Sequence, residues 1–265
     1  MRKSPEMSAA SDNLQITQHG PVLVVAINRP AKRNALDVAT MLGLESVFTG
    51  IPAGVGAVVL HGAGPHFCAG LDLNEVSDQD AVDGVLHSRL WHRVFDHIQF
   101  GSVPVVAALH GAVVGGGLEL ACAAHIRVAE MSTFYALPEG QRGIFVGGGG
   151  AVRIPKLIGV ARMTDMMLTG RVYAAEEGMS AGLSQYCVPS GAGLEKAMAL
   201  ANTIAGNTRM TNFAILHALP RIAEASQETG MLLEALMAAV AQSAPEAKQR
   251  VRQFLDKQSK KAGPA

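Results

Sequence analysis

Two apolar patterns alternate along the first two thirds of the chain. Short runs rich in β-branched residues predict buried strands at 22–27, 57–61, 103–109, 126–129, 133–137 and 184–188. Longer segments repeat apolar residues at helical spacing, most clearly over 79–100 through Val82, Leu86, Leu90, Val94 and Ile98. This alternation predicts an α/β fold built on short crossover units.

The last third of the chain predicts helices only. Residues 231–241 are apolar nearly all round, with Glu234 as the only charge. Such a helix is normally buried, and we expect this one to be buried between subunits. The low charged content of 17%, against roughly 25% in an average domain, also favours self-association. We therefore divide the chain into a flexible tail (1–13), a core (14–200) and a helical oligomerisation region (201–265).

Composition and spacing exclude several function classes. The chain has 22 basic and 22 acidic residues with no dense basic run, which argues against a nucleic-acid partner. Its three cysteines form no CxxC motif and its nine histidines show no metal-site spacing, so we expect no metal, no disulfide and a reducing, cytoplasmic compartment. The apolar stretch 103–124 contains Pro104 and four glycines, which predicts buried core and no membrane span.

The first candidate for chemistry is the segment 65–73, which directly follows a predicted strand. Small residues let a ligand approach the backbone, and free N–H groups at such a turn can stabilise a developing oxyanion. The alternative is an ordinary strand exit.

The second candidate is Glu119, which follows Gly115, Gly116 and Gly117 in an apolar helix start. A dinucleotide fingerprint needs a third glycine at the sixth position, where this chain has Leu120. A carboxylate among apolar neighbours must find a partner or have its pKa raised, as in an active-site acid or base. The alternative is an exposed glutamate that complements the helix dipole.

The third candidate is Glu139, which follows Pro138 and precedes the four glycines of 147–150. Alone it could be a solvated turn residue. Two carboxylates that each lie beside a glycine-rich turn suit paired acid–base chemistry around one polarised carbonyl.

At these residues the chain resembles the crotonase (enoyl-CoA hydratase/isomerase) superfamily. The matching elements occur in order from about residue 14 to 190. They are Asn28-Arg29-Pro30, Asn34-Ala35-Leu36, Phe67-Cys68-Ala69-Gly70-Leu71-Asp72-Leu73, His110-Gly111 through Gly116-Gly117-Leu118-Glu119-Leu120, Pro138-Glu139, the downstream glycines with Arg153, Leu168-Thr169-Gly170, Ala174, Glu176-Glu177 and Gly182-Leu183.

The resemblance implies a spiral of ββα units with a C-terminal helical trimerisation region, and a homotrimer or dimer of trimers. It implies an acyl-CoA substrate and no separate cofactor, since coenzyme A is part of the substrate. The backbone N–H groups of Leu71 and Gly116 would form the oxyanion hole. Glu119 would help to activate the water that adds at Cβ, and Glu139 would protonate Cα.

The resemblance also implies contacts for coenzyme A. The loop of Ala69, with Gly70 and Asp72, would contact the adenine. Lys32 or Arg33 would contact the phosphates. Phe254 and Lys257 would contact the adenosine bound by a neighbouring subunit. Three positions depart from the family pattern: Val146 replaces a proline, His125 an aspartate and Asn74 a lysine. The first two suggest an altered active-site wall, and Asn74 weakens the expected phosphate contact.

Both glutamates are present, which favours hydration of a 2-enoyl-CoA. Double-bond isomerisation, hydration coupled to carbon–carbon cleavage, and a catalytically silent binding protein stay open as alternatives. The acyl chain length cannot be deduced from the sequence.

Overall fold

The computed structural model describes residues 12–75 and 80–255. Most of the predicted tail (1–13) lies outside the described residues, as does Lys257. The strands are β1 Leu14–His19, β2 Val22–Ile27, β3 Ala57–Gly62, β4 Val105–Leu109, β5 Ala112–Val114, β6 Ile126–Glu130, β7 Phe134–Ala136, β8 Tyr173–Ala174 and β9 Tyr186–Val188.

Helices connect these strands and make up the C-terminal part of the chain. They are α1 Val38–Thr49, α2 Ala81–Gln99, α3 Gly116–Ala123, α4 Gly150–Ile158, α5 Val160–Thr169, α6 Ala175–Ala181, α7 Gly193–Ala205, α8 Arg209–Phe213, α9 Leu219–Glu224, α10 Gln227–Ser243 and α11 Pro245–Leu255. A π-helical segment, Ala214–Ala218, separates α8 from α9.

Two sheets organise the larger unit. The six-stranded sheet has the order β1-β2-β3-β4-β6-β9 and is parallel except for the β1–β2 hairpin. In the three-stranded sheet β5-β7-β8, β5 and β7 are parallel and β8 is antiparallel. The chain therefore passes from one sheet to the other between β4 and β5. Helix α3, which carries Gly116 and Glu119, begins directly after β5.

Both faces of the large sheet are buried, which explains why its strands are continuous apolar runs. On β2, Leu23, Val25 and Ile27 pack into the main core. The intervening Val22 and Val24 pack on the opposite face, together with Ala197 and Ala201 of α7. The sequence predicted the β2 bounds correctly. It did not predict β1, which is polar and mostly exposed, or β5 and β8, whose three and two residues give almost no periodic signal.

The chain divides into two compact units, Met1–Ala205 and Gly206–Ala265. Helix α7 continues through residue 200, where the sequence suggested a boundary. In the second unit, α10 leaves large apolar side chains exposed, namely Met231, Leu232, Leu233, Leu236 and Val240. Within residues 12–75 and 80–255, no helix is both long and apolar enough to cross a bilayer.

Candidate active site

The segment Gly70–Asp72 is held in place by an isolated parallel bridge to Leu36. Leu36 N donates to Gly70 O at 2.8 Å, and Asp72 N donates to Leu36 O at 2.9 Å. Leu71 lies opposite Leu36 in this bridge, but its own N–H makes neither of the two hydrogen bonds. A salt bridge between Asp72 and Arg29 (3.1 Å) fixes the end of the segment.

The N–H group of Gly116 lies beside that of Leu71. A Cβ placed on Gly116 would stand 3.3 Å from Leu71 N, and one on Gly70 would stand 3.2 Å from Gly116 N. Gly116 begins α3, so its N–H has no acceptor within the helix. Within the described part of the chain, neither N–H donates to another residue. Both residues line the same cavity, so two neighbouring backbone donors are available to a ligand there.

Glu119 lies one turn into α3 and is 3% exposed. Its Oε1 accepts hydrogen bonds from Gly148 N at 2.8 Å and Gly150 N at 2.7 Å. These donors belong to the glycine-rich turn at the start of α4, so the positive helix end faces the carboxylate. Burial raises the pKa of Glu119, and the backbone donors and Arg153 oppose that rise.

Glu139 follows β7 and is 6% exposed. Its Oε2 is buried and has no hydrogen-bond partner within the described residues. Burial and the nearby Glu119 carboxylate raise the pKa of Glu139 to about 7. Neither glutamate is the exposed or solvated residue of the alternative interpretations.

Arg153 supports the turn that holds Glu119. Its Nη1 donates to Gly148 O at 3.0 Å, its Nη2 to Asp96 Oδ1 at 2.6 Å and its Nε to Gln99 Oε1 at 2.6 Å. Asp96 and Gln99 both lie near the end of α2. The glycine-rich turn is thus fixed to α2 by one buried guanidinium, a role that residue spacing alone does not reveal.

One cavity of about 190 Å³ brings these groups together. All four predicted catalytic positions, Leu71, Gly116, Glu119 and Glu139, line it. The sequence did not identify the wall that α2 contributes, formed by Gly84, His87, Ser88 and Trp91. In the sequence, this wall could be recognised only from the polar residues that lie beside the apolar stripe of α2. Among the described residues, no cluster of side chains could hold a metal ion.

The residues expected to contact coenzyme A lie in different parts of the structure, unlike the four predicted catalytic positions. Lys32 and Arg33 are exposed, and Arg33 O accepts a hydrogen bond from Ala69 N at 3.0 Å, so this corner adjoins the loop of Ala69 and Gly70. Asp72 instead directs its carboxylate to Arg29 and Asn74. Phe254 is exposed on α11, in the second unit.

The three positions that depart from the family pattern have different surroundings. Val146 lines the cavity, as expected. His125 does not: its Nδ1 accepts from Val105 N at 2.9 Å and its Nε2 contacts Gln99 O at 2.9 Å. The prediction that His125 alters the active-site wall was therefore wrong, because its ring joins the start of β4 to the end of α2. Asn74 Nδ2 donates to Asp72 Oδ1 at 2.9 Å.

The sequence profile of the enoyl-CoA hydratase/isomerase family matches residues 17–262. The chain belongs to this family. A provisionally named enoyl-CoA hydratase from Rhodopseudomonas palustris has a structure with a TM-score of 0.92 and 60% sequence identity, covering 94% of this chain and 96% of that one. An enoyl-CoA hydratase from Bacillus anthracis gives a TM-score of 0.87 at 28% identity, covering 93% and 97%. The predicted crotonase-like fold with a helical C-terminal region is confirmed.

Sequence relatives agree with this assignment. The short-chain-enoyl-CoA hydratase of Clostridium acetobutylicum is 29% identical over 249 residues, which cover 93% of this chain and 95% of that protein. The fatty acid oxidation complex subunit alpha of Shewanella amazonensis is 42% identical over 149 residues. That match covers 55% of this chain but only 21% of the much longer subunit. The protein is therefore an enzyme of the enoyl-CoA hydratase/isomerase family.

Proposed function

We propose that the protein adds water across the double bond of a 2-enoyl-CoA thioester. The observation that carries this proposal is the placement of two buried carboxylates, Glu119 and Glu139, in one cavity with two free backbone donors. Hydration needs a group that takes a proton from water, a group that gives one to carbon, and an anion-stabilising site. The cavity offers all three.

In this mechanism the thioester oxygen accepts hydrogen bonds from the N–H groups of Leu71 and Gly116. Glu119 takes a proton from water as the water oxygen bonds to Cβ. The electron pair of the double bond moves toward the thioester, whose oxygen becomes an enolate held by the two donors. These donors belong to fixed backbone and need no reorganisation as the charge develops.

Glu139 then gives its proton to Cα, which completes the 3-hydroxyacyl-CoA. A pKa near 7 suits this role, because a large fraction of the group is protonated at neutral pH. The cycle leaves Glu119 protonated and Glu139 ionised, and proton exchange with solvent restores both. The reaction needs no resident cofactor, because coenzyme A enters with the substrate.

The proposal extends to the nucleotide end of the substrate. Lys32 and Arg33 are exposed cations beside the Ala69 loop, and we assign them the phosphates of coenzyme A. The loop of Ala69 and Gly70 would meet the adenine. Calorimetry should then show binding of an enoyl-CoA but not of the corresponding free acid.

The test of the reaction is incubation with but-2-enoyl-CoA. Hydration removes the absorbance of the conjugated thioester and raises the product mass by one water. Isomerisation leaves the mass unchanged, and cleavage gives two smaller products. A protein that binds the thioester but leaves absorbance and mass unchanged would contradict the proposal.

A further inference from the structure

The α2 wall of the cavity carries two polar side chains that the proposed hydration does not use. His87 and Ser88 are both half-buried and both line the cavity. Much of the remaining wall is apolar and includes Ile144, Phe145 and Val146. In an apolar pocket, a few placed polar groups determine which ligand binds and in which orientation.

The hydrogen bond from Trp91 fixes the proton of His87. Trp91 Nε1 lies 3.1 Å from His87 Nε2, and an indole nitrogen can only donate. The neutral imidazole therefore carries its proton on Nδ1. Burial lowers the pKa of His87, which favours this neutral form. Within the described part of the chain, neither His87 Nδ1 nor the Ser88 hydroxyl has a hydrogen-bond partner.

Trp91 also shows where this polar pair lies relative to the reacting atoms. A Cβ on Gly116 would stand 2.6 Å from Trp91 Cζ3, and one on Gly148 would stand 3.0 Å from Cε3. The indole thus packs between the oxyanion donor and the turn that holds Glu119. His87 lies four residues before Trp91 in α2, about 6 Å along the axis. If the thioester oxygen lies on the Leu71 and Gly116 donors and the reacting carbons lie between the two glutamates, the wall left for the rest of the acyl group includes His87 and Ser88.

The charges around the pair favour a neutral substituent. None of the described residues that line the cavity is Lys or Arg. The carboxylate of Glu75 acts on His87 and would repel an acidic acyl group. A hydroxyl group fits both protein atoms, because it can accept from His87 Nδ1–H and donate to Ser88 Oγ.

We propose that the enzyme selects short 2-enoyl-CoA thioesters that carry a hydroxyl group beyond the double bond, and that His87 and Ser88 bind this hydroxyl. The proposal rests on the hydration reaction proposed above. The size of the cavity, about 190 Å³, agrees with a short acyl group, since pockets for drug-sized ligands measure roughly 300–1,000 Å³.

The test compares matched substrates that differ only in the hydroxyl group: but-2-enoyl-CoA with its 4-hydroxy derivative, and pent-2-enoyl-CoA with its 5-hydroxy derivative. The readout is the ratio of kcat/KM within each pair, so a general loss of activity cancels. In at least one of the two pairs, we expect the wild-type kcat/KM to be about fivefold or more higher for the hydroxylated thioester than for the plain one. This is the effect of one typical net hydrogen bond.

The variants Ser88→Ala and His87→Phe should each lower this ratio toward one. Ser88→Ala removes only the hydroxyl and keeps the test valid if His87→Phe disturbs Trp91. The matched control is Ser46→Ala on the exposed face of α1, which should keep the wild-type ratio. Equal kcat/KM values within both pairs, or ratios unchanged in both variants, would overturn the inference, while hydration of the plain substrates would still support the proposed function. If the wild type consumes none of the four thioesters, the proposed function itself fails.

Discussion

A Cβ placed on Gly115 would stand 2.5 Å from Oε1 of Glu139. Gly115 also has a φ of +54°, a backbone conformation that residues with a Cβ rarely adopt. The glycine immediately before α3 thus leaves room for the carboxylate and lets the chain turn toward the oxyanion donor of Gly116.

The first prediction concerns this contact. Gly115→Ala should displace Glu139 and lower kcat by at least about tenfold, because a small misplacement of a catalytic group is costly. Gly20→Ala is the matched control: Gly20 has a similar φ of +59°, but a Cβ at this position would meet nothing within 4 Å. Both variants should lose thermal stability from backbone strain, with the larger loss in Gly115→Ala because of the contact with Glu139, but only Gly115→Ala should lose turnover.

The second prediction concerns the two carboxylates. Glu119→Gln and Glu139→Gln keep the side-chain shape but cannot transfer a proton. Each should lower kcat by about 10²–10⁴-fold, and thioester affinity measured by calorimetry should change much less. Because the two groups act as a unit, kcat of the double variant should be only slightly lower than kcat of the less active single variant. Near wild-type turnover in the double variant would show that the carboxylates are structural.

The third prediction follows from the raised pKa of Glu139, about 7. The proposed proton donor must be protonated, so kcat/KM should fall as the pH rises through about 7. The falling limb should be absent in Glu139→Gln, whose residual rate comes from other groups. A pH profile of the wild type that is flat from pH 6 to about pH 8.5 would contradict the assignment of Glu139 as the acid.

The same pKa gives a fourth prediction, on stability. Because the pKa of Glu139 is higher in the folded state than its ordinary value of 4.5, its favourable contribution is complete below pH 4.5 and is lost as the pH rises through about 7. Glu139→Gln should therefore stabilise the protein more at pH 8 than at pH 5, by up to about 3 kcal/mol. Urea denaturation at the two pH values measures the difference, and an equal effect of Glu139→Gln at pH 5 and pH 8 would contradict the prediction.

The fifth prediction concerns the oxyanion segment. Asp72→Asn removes one charge from the salt bridge with Arg29 and should loosen the segment that presents the Leu71 N–H. We expect kcat to fall about tenfold with a smaller change in KM, the pattern of an interaction made in the transition state. The matched control is Glu177→Gln, which breaks an exposed ion pair with Arg171 and should leave both constants unchanged.

The oligomeric state stays a prediction. The exposed apolar side chains of α10, with Leu232 and Leu236 each more than half exposed, support a trimer or a dimer of trimers. Light scattering that shows only a monomer of 27.6 kDa at micromolar concentration would contradict it.

The sequence by itself determined the α/β fold class, and it identified Glu119 and Glu139 as candidate reactive groups. Strands such as Val22–Ile27 could be predicted because burial on both faces demands an unbroken apolar run. The glycines around Glu119 and Glu139 could be recognised because close backbone approach permits few other residues. Both constraints act on residues that are neighbours in the chain, so the sequence pattern of a short segment is enough to reveal them.

Tertiary structure alone decided which groups lie close together, how deeply they are buried and how burial shifts their pKa values. The burial of Glu139, the two backbone donors on Glu119 and the anchoring of their turn by Arg153 all join residues that are far apart in the chain. The position of His125 away from the cavity, and of His87 and Ser88 within it, likewise depended on how α2 packs. Desolvation and hydrogen-bond geometry depend on the folded surroundings, which residue spacing does not specify.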